Sequence, residues 1–163
     1  MTGPADGDGS DDVAPAAAGG HSYRVGATTS APVDAVWPLL AEAERWSEWS
    51  FLSRTGLERE GAPDPDGVGA VRRFTRFGIG SREEVVAWDP PSHLAYRILS
   101  GFPVRNYRAD ITLEPHGSGT RIDWTGTFDT RWPGTGRLLG ALVPVMMQRF
   151  ATSVARYADA PGR

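Results

Sequence analysis

No cysteine and no lysine occur in this chain, and only three histidines do, among 163 residues. Without thiols there are no disulfides, no thiolate nucleophile and no Cys-ligated metal. Without lysine there is no Schiff-base amine and no phosphate-loop lysine, and every basic residue is Arg. His21, His93 and His116 show neither HxH nor HxxxH spacing, which argues against a zinc site. No apolar run approaches the roughly 20 residues that span a bilayer. A basic segment leading into an apolar core is missing from the N-terminus, so the expectation is a cytoplasmic protein that does not span a membrane. A net charge of −3 offers no basic face to nucleic acid. The glycine clusters at 67–69 and 133–136 lack GxGxxG or Walker spacing and read as turns, so no cofactor is expected.

The remaining composition, 40% hydrophobic and 23% charged, suits one globular domain with a full core. Residues 1–21 are Gly, Ala, Pro and Asp with little to bury and read as a disordered acidic leader. The domain is expected over 22–158, with 159–163 as a tail. Tyr23, Val25, Ala27 and Thr29 alternate as a first strand. Pro32, Asp34, Val36, Leu39 and Leu40 mark a helix that Pro38 keeps short or bent. A second short helix holds Trp46 and Trp49 three residues apart. Strands separated by Gly/Pro turns follow, and the chain closes in a long helix from about 136 to 158. Its apolar stripe is expected along Leu139, Leu142, Val143, Met146, Phe150, Val154 and Tyr157, with a kink at Pro144.

Opposed residues of a hairpin share a face, so the turns fix which side chains point together. Closing the hairpins at Gly78-Ile79, 89–92, 101–104 and 115–119 puts Phe74, Val85, Ile98, Ile111, Leu113, Ile122, Trp124 and Phe128 on one face. The same face carries Arg72, Glu83, Tyr96 and Tyr107, with Glu83 diagonal to Arg72. The other face alternates Arg, Asp, Glu and Thr. An apolar face with one cation, one anion and two phenols suits the wall of a ligand cavity. Gly126 opposite Ala109 leaves room there for the helix or a ligand.

The order of strand, two short helices, six strands and a long helix resembles the helix-grip fold of the START/Bet v 1-like superfamily. Within it, the chain resembles the polyketide cyclase/dehydrase and lipid-transport (SRPBCC) group. The segments that carry the resemblance are APVDAVWPLLAEAERWSEW at 31–49, GVGAVRRF at 67–74, REEVVAWDPPSHLAYRI at 82–98 and GTRIDWTGTF at 119–128. It implies an α+β fold, a curved seven-stranded antiparallel sheet wrapped around the C-terminal helix. It also implies a hydrophobic small molecule as partner, whether polyketide, lipid or aromatic metabolite, and either a monomer or a homodimer.

Two readings of the polar set stand side by side. In one, Arg72 and Glu83 form a structural ion pair and Tyr96 and Tyr107 are core tyrosines. In the other, Arg72 holds an oxyanion, Glu83 moves a proton and the tyrosines orient or protonate a substrate, a cofactor-free cyclisation or dehydration. The expected ligand contacts are Trp46, Trp49, Phe74, Val85, Ile98, Ile111, Trp124, Phe128, Met146 and Phe150. A carrier that only binds its ligand, and an interaction module with a small cavity, are the alternatives to an enzyme.

Overall fold

The structure, a computed structural model, describes residues 20–160. The expected leader lies outside the described residues except for Gly20 and His21, and His21 already begins β1 (His21–Thr29). Then come α1 (Val33–Ala41), a 3-10 turn (Ala43–Arg45) running into α2 (Trp46–Trp49), and β2 (Arg54–Arg59). The rest is β3 (Val71–Arg76), β4 (Ile79–Asp89), β5 (His93–Ser100), β6 (Val104–His116), β7 (Gly119–Thr130) and α3 (Gly136–Asp159). All seven strands form one antiparallel sheet in the order β1-β7-β6-β5-β4-β3-β2, with α3 packed on β1, β7 and α1. This is the helix-grip architecture.

Side-chain parity holds across the sheet. The expected inward residues from Arg72 to Phe128 are all buried except Ile98, which is half-buried, and none of the Arg/Asp/Glu/Thr face is. The first hairpin, however, closes at Phe77-Gly78 rather than Gly78-Ile79. Both residues have positive φ, 51° and 80°, as a two-residue turn matching strand twist requires. Substituting one tight turn for the other slides the pairing by two residues, which leaves every side chain on its own face. Arg72 consequently faces Glu83 directly instead of diagonally.

Besides a bulge at Glu58 in β2, three irregularities interrupt the ladders from β4 to β7. A bulge at Val86 puts Trp88 opposite Leu94 rather than His93, and another at Leu99 pairs Ser100 with Arg82 rather than Ser81. The third sits at Asn106-Tyr107, where two residues of β6 oppose one of β7 and Asn106 has φ 51°. It removes the expected Tyr107–Phe128 pair, and the β5–β6 ladder stops at Arg97 opposite Arg108, short of an Ile98–Tyr107 pair. Bulges turn a side chain away from the regular pleat, and this one sets the direction of Tyr107.

By length and composition α3 could cross a membrane, having an 18-residue stretch of mean hydropathy 1.4. That amends the expectation drawn from apolar runs. Its apolar side is nevertheless accounted for by the core: Leu139, Val143, Met147, Phe150, Ala151, Val154 and Ala155 are buried. Leu142, expected on the stripe, is instead exposed beside Leu138 and Val145. Polar tethers fix the helix in place. The Gln148 amide exchanges hydrogen bonds with the Gly26 backbone, Ser153 donates to Trp49 O, and Asp159 accepts from Thr29 and Ser30 at 2.7 Å.

The space left by Gly126 is taken by β1 and not by α3 or a ligand. Tyr23 lies opposite Gly126, and a Cβ there would meet the Tyr23 ring at 2.5 Å. Gly126→Ala is therefore expected to displace that ring and destabilise the fold by about 1–3 kcal/mol, measured by urea denaturation.

Candidate ligand cavity

The end of α1 organises the site. A helix leaves its last carbonyls without intrahelical partners, and here side chains from outside the helix supply them. Trp49 Nε1 donates to Leu39 O at 2.9 Å and Trp46 Nε1 to Leu40 O at 3.0 Å. From β3, the fully buried Arg72 guanidinium donates to Leu40 O at 3.3 Å and to Ala41 O at 2.6 Å. A cation at the negative end of a helix is doubly favourable there, as charge and as donor.

Arg72 therefore forms no ion pair with Glu83, which corrects the structural-pair reading, and it lies outside the cavity wall, which corrects the oxyanion role. Burial pulls its guanidinium below the ordinary value, opposed by Asp66, Glu83 and Tyr96 in that order. The two opposed residues each keep one buried atom without a protein partner, Arg72 Nε and Glu83 Oε2.

Between the sheet and α3 lies a cavity of about 370 Å³. The tryptophan held by α1 is its central wall: the Trp46 ring stacks on Phe74 at 4.7 Å and meets Trp124 and Phe150 at 5.8 Å. Of the expected residues, Trp46, Phe74, Glu83, Tyr96, Ile98, Tyr107, Trp124, Met146 and Phe150 line it together. Trp49, Val85, Ile111 and Phe128 do not. Trp49 packs edge-on behind Phe150, and the other three are buried in the sheet's own core, toward the ends of their strands or behind the tyrosines. Sequence reasoning missed Phe51, Leu52, Arg76, Phe77, Ile79, Ser81, Phe102 and Met147 on the wall. Phe51, Leu52, Phe77 and Phe102 sit in turns or loops, where parity assigns no face, but Arg76 of β3 and Ile79 and Ser81 of β4 were legible from the parity they share with Phe74 and Glu83, and Met147 as the helical neighbour of Val143 and Phe150. A broader groove of about 970 Å³ lies on the solvent face of β2 and β3, floored by residues such as Arg54, Glu58 and Arg73, outside the sheet–helix interior.

The cavity's polar groups form one array. Tyr107 Oη lies 2.5 Å from Tyr23 Oη and donates to Met147 Sδ at 3.5 Å. Trp124 Nε1 donates to Tyr96 Oη at 3.2 Å, and the Tyr96 and Tyr107 rings are 6.1 Å apart. Tyr23 was read only as a strand residue. Its phase with Val25 and Ala27 already pointed it inward, but the pairing of β1 with β7 was needed to bring it to Tyr107. Burial raises all three phenols, Tyr107 to about 12 and Tyr23 and Tyr96 further, so each is neutral at physiological pH.

Glu83 differs from the phenols. Ser81 Oγ donates to its Oε1 at 3.2 Å. Burial lifts its carboxyl to about 7, against the opposing charge of Arg72 and the Ser81 hydrogen bond. It alone among the buried wall groups changes charge near neutrality. His93 begins β5 with Nε2 2.9 Å from Asp110 Oδ1, on the outer face.

With this geometry in hand, comparison with known proteins is decisive. Residues 21–159 match the family described as polyketide cyclase / dehydrase and lipid transport. The chain belongs to that family. An uncharacterized protein of Mycobacterium tuberculosis is 26% identical over 130 residues, 77% of each chain. A solution structure from Thermobifida fusca is 26% identical with a TM-score of 0.66, covering 83% of this chain and 93% of that one. The crystal structure of Ara h 8.0201 aligns with a TM-score of 0.68 at 15% identity, covering 86% and 98%. That last likeness speaks for the fold alone. Family and fold together make this a helix-grip protein of the polyketide cyclase / dehydrase and lipid transport family.

Two variants test the division of labour between Arg72 and Glu83. Arg72→Met strips the α1 carbonyls of their donor and is expected to cost about 3 kcal/mol of stability by chemical denaturation, with Arg72→Lys intermediate. Because the folded-state value of Glu83 lies above its unfolded one, the native state holds the extra proton. Wild-type stability should then fall as pH rises from 4.5 to about 7, on the order of 3 kcal/mol, and Glu83→Gln should lose that slope.

Proposed function

We propose that the protein takes up a hydrophobic, ring-bearing small molecule in the cavity between the sheet and α3. One observation carries this reading: a cavity of about 370 Å³, open at one end and walled by Trp46, Phe74, Trp124 and Phe150, with a single cluster of hydroxyl and carboxyl groups on one side. Aromatic walls bind flat apolar ligands by area and stacking, and a few converging polar groups fix orientation. On the carrier reading, the Glu83–Tyr107 side anchors the ligand's polar end.

A second reading is supported by the near-neutral carboxyl of Glu83. A group that ionises at about 7 is suited to proton transfer at physiological pH. In a cofactor-free cyclisation, the Glu83 carboxylate removes a proton from the carbon next to a ketone. Neutral Tyr96 or Tyr107 hydroxyls donate to the enolate oxygen that forms. The enolate carbon then bonds to a second carbonyl carbon, and Glu83 returns its proton to the resulting alkoxide. Arg72 has no part in this, being committed to Leu40 and Ala41.

The bicyclic ketone 2-tetralone tests both readings. Calorimetry is expected to show it binding wild-type protein, and Met147→Trp, which fills the cavity, to weaken that binding about tenfold or more. No binding by the wild type, or unchanged binding by a folded Met147→Trp, would sink the cavity reading. Solvent deuterium exchange at the tetralone α-carbon, followed by NMR, separates the two roles. Acceleration that Glu83→Gln abolishes supports proton transfer, whereas binding without acceleration leaves a carrier.

A further inference from the structure

The large apolar side chains that remain exposed gather at one end of the molecule. Phe77, at the tip of the β3–β4 hairpin, is 86% exposed and Ile79 beside it 78%. A phenylalanine held at φ 51° is a costly choice for a turn that Asn or Gly would fill freely. Leu99 and Phe51 are exposed nearby, and Phe51, Phe77 and Ile79 also border the cavity mouth. The β5–β6 turn abuts the same hairpin, since a Cβ on Gly101 would collide with Gly80 O. The β7–α3 connection joins that end through Arg131 N to Pro103 O at 3.3 Å, and it exposes Trp132. From there α3 continues the patch with Leu138, Leu142 and Val145, one exposed stripe at helical spacing. Val68, the other exposed large apolar residue among those described, lies near the far end of β3.

The same end is cationic in a chain whose net charge is −3. Arg54, Arg76, Arg105, Arg131, Arg137 and Arg149 are exposed there, and none has a carboxylate at ion-pair distance among the described residues. Most arginines of the sheet's outer face are paired instead: Arg59 and Arg97 flank Glu84, Arg82 pairs with Glu58, Arg108 with Asp110 and Arg121 with Glu114, while Arg24 and Arg73 on that face and Arg156 near the far end of α3 have no carboxylate at ion-pair distance among the described residues. Around the mouth, Arg76 instead lies over the Phe51 and Phe77 rings at 5.3 and 5.1 Å, and Arg131 over Trp132 at 5.7 Å. Asp129, opposite Arg105 in the β6–β7 ladder, is bonded to Asn106.

We infer that the open end of the cavity docks on an anionic phospholipid surface. Protruding Phe, Ile and Trp side chains match the boundary between headgroups and acyl chains, and unpaired guanidiniums match the phosphates beside it. The two features coincide on the tips that frame the cavity entrance, so docking would place that entrance against the bilayer. The inference stands on the surface alone and does not require the cavity to be filled.

Co-sedimentation of the full chain with vesicles tests it. Binding to phosphatidylcholine vesicles containing phosphatidylglycerol should exceed binding to phosphatidylcholine alone by about tenfold or more. It should weaken as salt is raised. Phe77→Ser with Ile79→Ser should lower binding to anionic vesicles about tenfold with the melting temperature unchanged, and Arg131→Gln with Arg137→Gln should flatten the salt dependence. Absence of vesicle binding, or binding that neither pair of substitutions weakens, would overturn the inference. So would a dimer in sedimentation velocity that the Phe77/Ile79 pair dissolves while vesicle binding stays absent, because the patch would then belong to a second copy of the chain.

Discussion

The buried carbonyls that α1 leaves without helical partners at its end are the constraint on which the site depends. α1 is nine residues long and carries Pro38, so it cannot stand by its own propensity. Two indole N–H groups from α2 and one guanidinium from β3 bind its last turn. Those bonds decide more than the fate of the helix. They fix the plane of Trp46, and Trp46 in turn supports Phe74, Trp124 and Phe150 around the cavity. Removing a donor would leave a buried carbonyl unsatisfied and the aromatic wall without its orientation, so stability and cavity shape are coupled here.

The buried polar residues consequently separate by role. Arg72 is a structural cation whose charge complements a helix end. The tyrosines are neutral donors and acceptors, raised by burial out of the range where they could ionise. Glu83 stays poised near neutrality because the nearest cation is directed elsewhere, close enough to lower its value but too far to pair with it. A direct Arg72–Glu83 pair would have fixed the carboxylate in its charged form. Committing Arg72 to α1 is what leaves Glu83 titratable.

The fold was legible because face parity is robust. A two-residue error in the Phe77-Gly78 turn changed partners without moving a side chain across the sheet, so the inward and outward sets survived. Element order and the single C-terminal helix were legible for similar reasons of period and turn chemistry. What escaped was what parity does not encode. Bulges at Val86, Leu99 and Asn106 leave no mark in an apolar/polar alternation, and they changed the partners of Trp88, Ser100 and Tyr107. The pairing of β1 with β7 joins segments about a hundred residues apart, so no turn announces it, and Tyr23 went unassigned. Arg72 was read by its face and charge alone. Its true partners are backbone atoms on α1, which no side-chain pattern reveals.

That pairing of β1 with β7 also governs the order in which the molecule can be assembled. Among the described residues, β1 is the first strand made, and its one strand neighbour is the last. During synthesis its inner edge has no partner until β7 has emerged, and closing so long a loop is slow compared with forming the hairpins in between. The bond between the Tyr23 and Tyr107 hydroxyls spans 84 residues and waits on the same event. A chain arrested before β7 would hold the aromatic wall in part and lack the hydroxyl chain entirely, with a bare strand edge open to other chains. The hydroxyl link at the polar corner of the cavity can thus form only once β7 has been made.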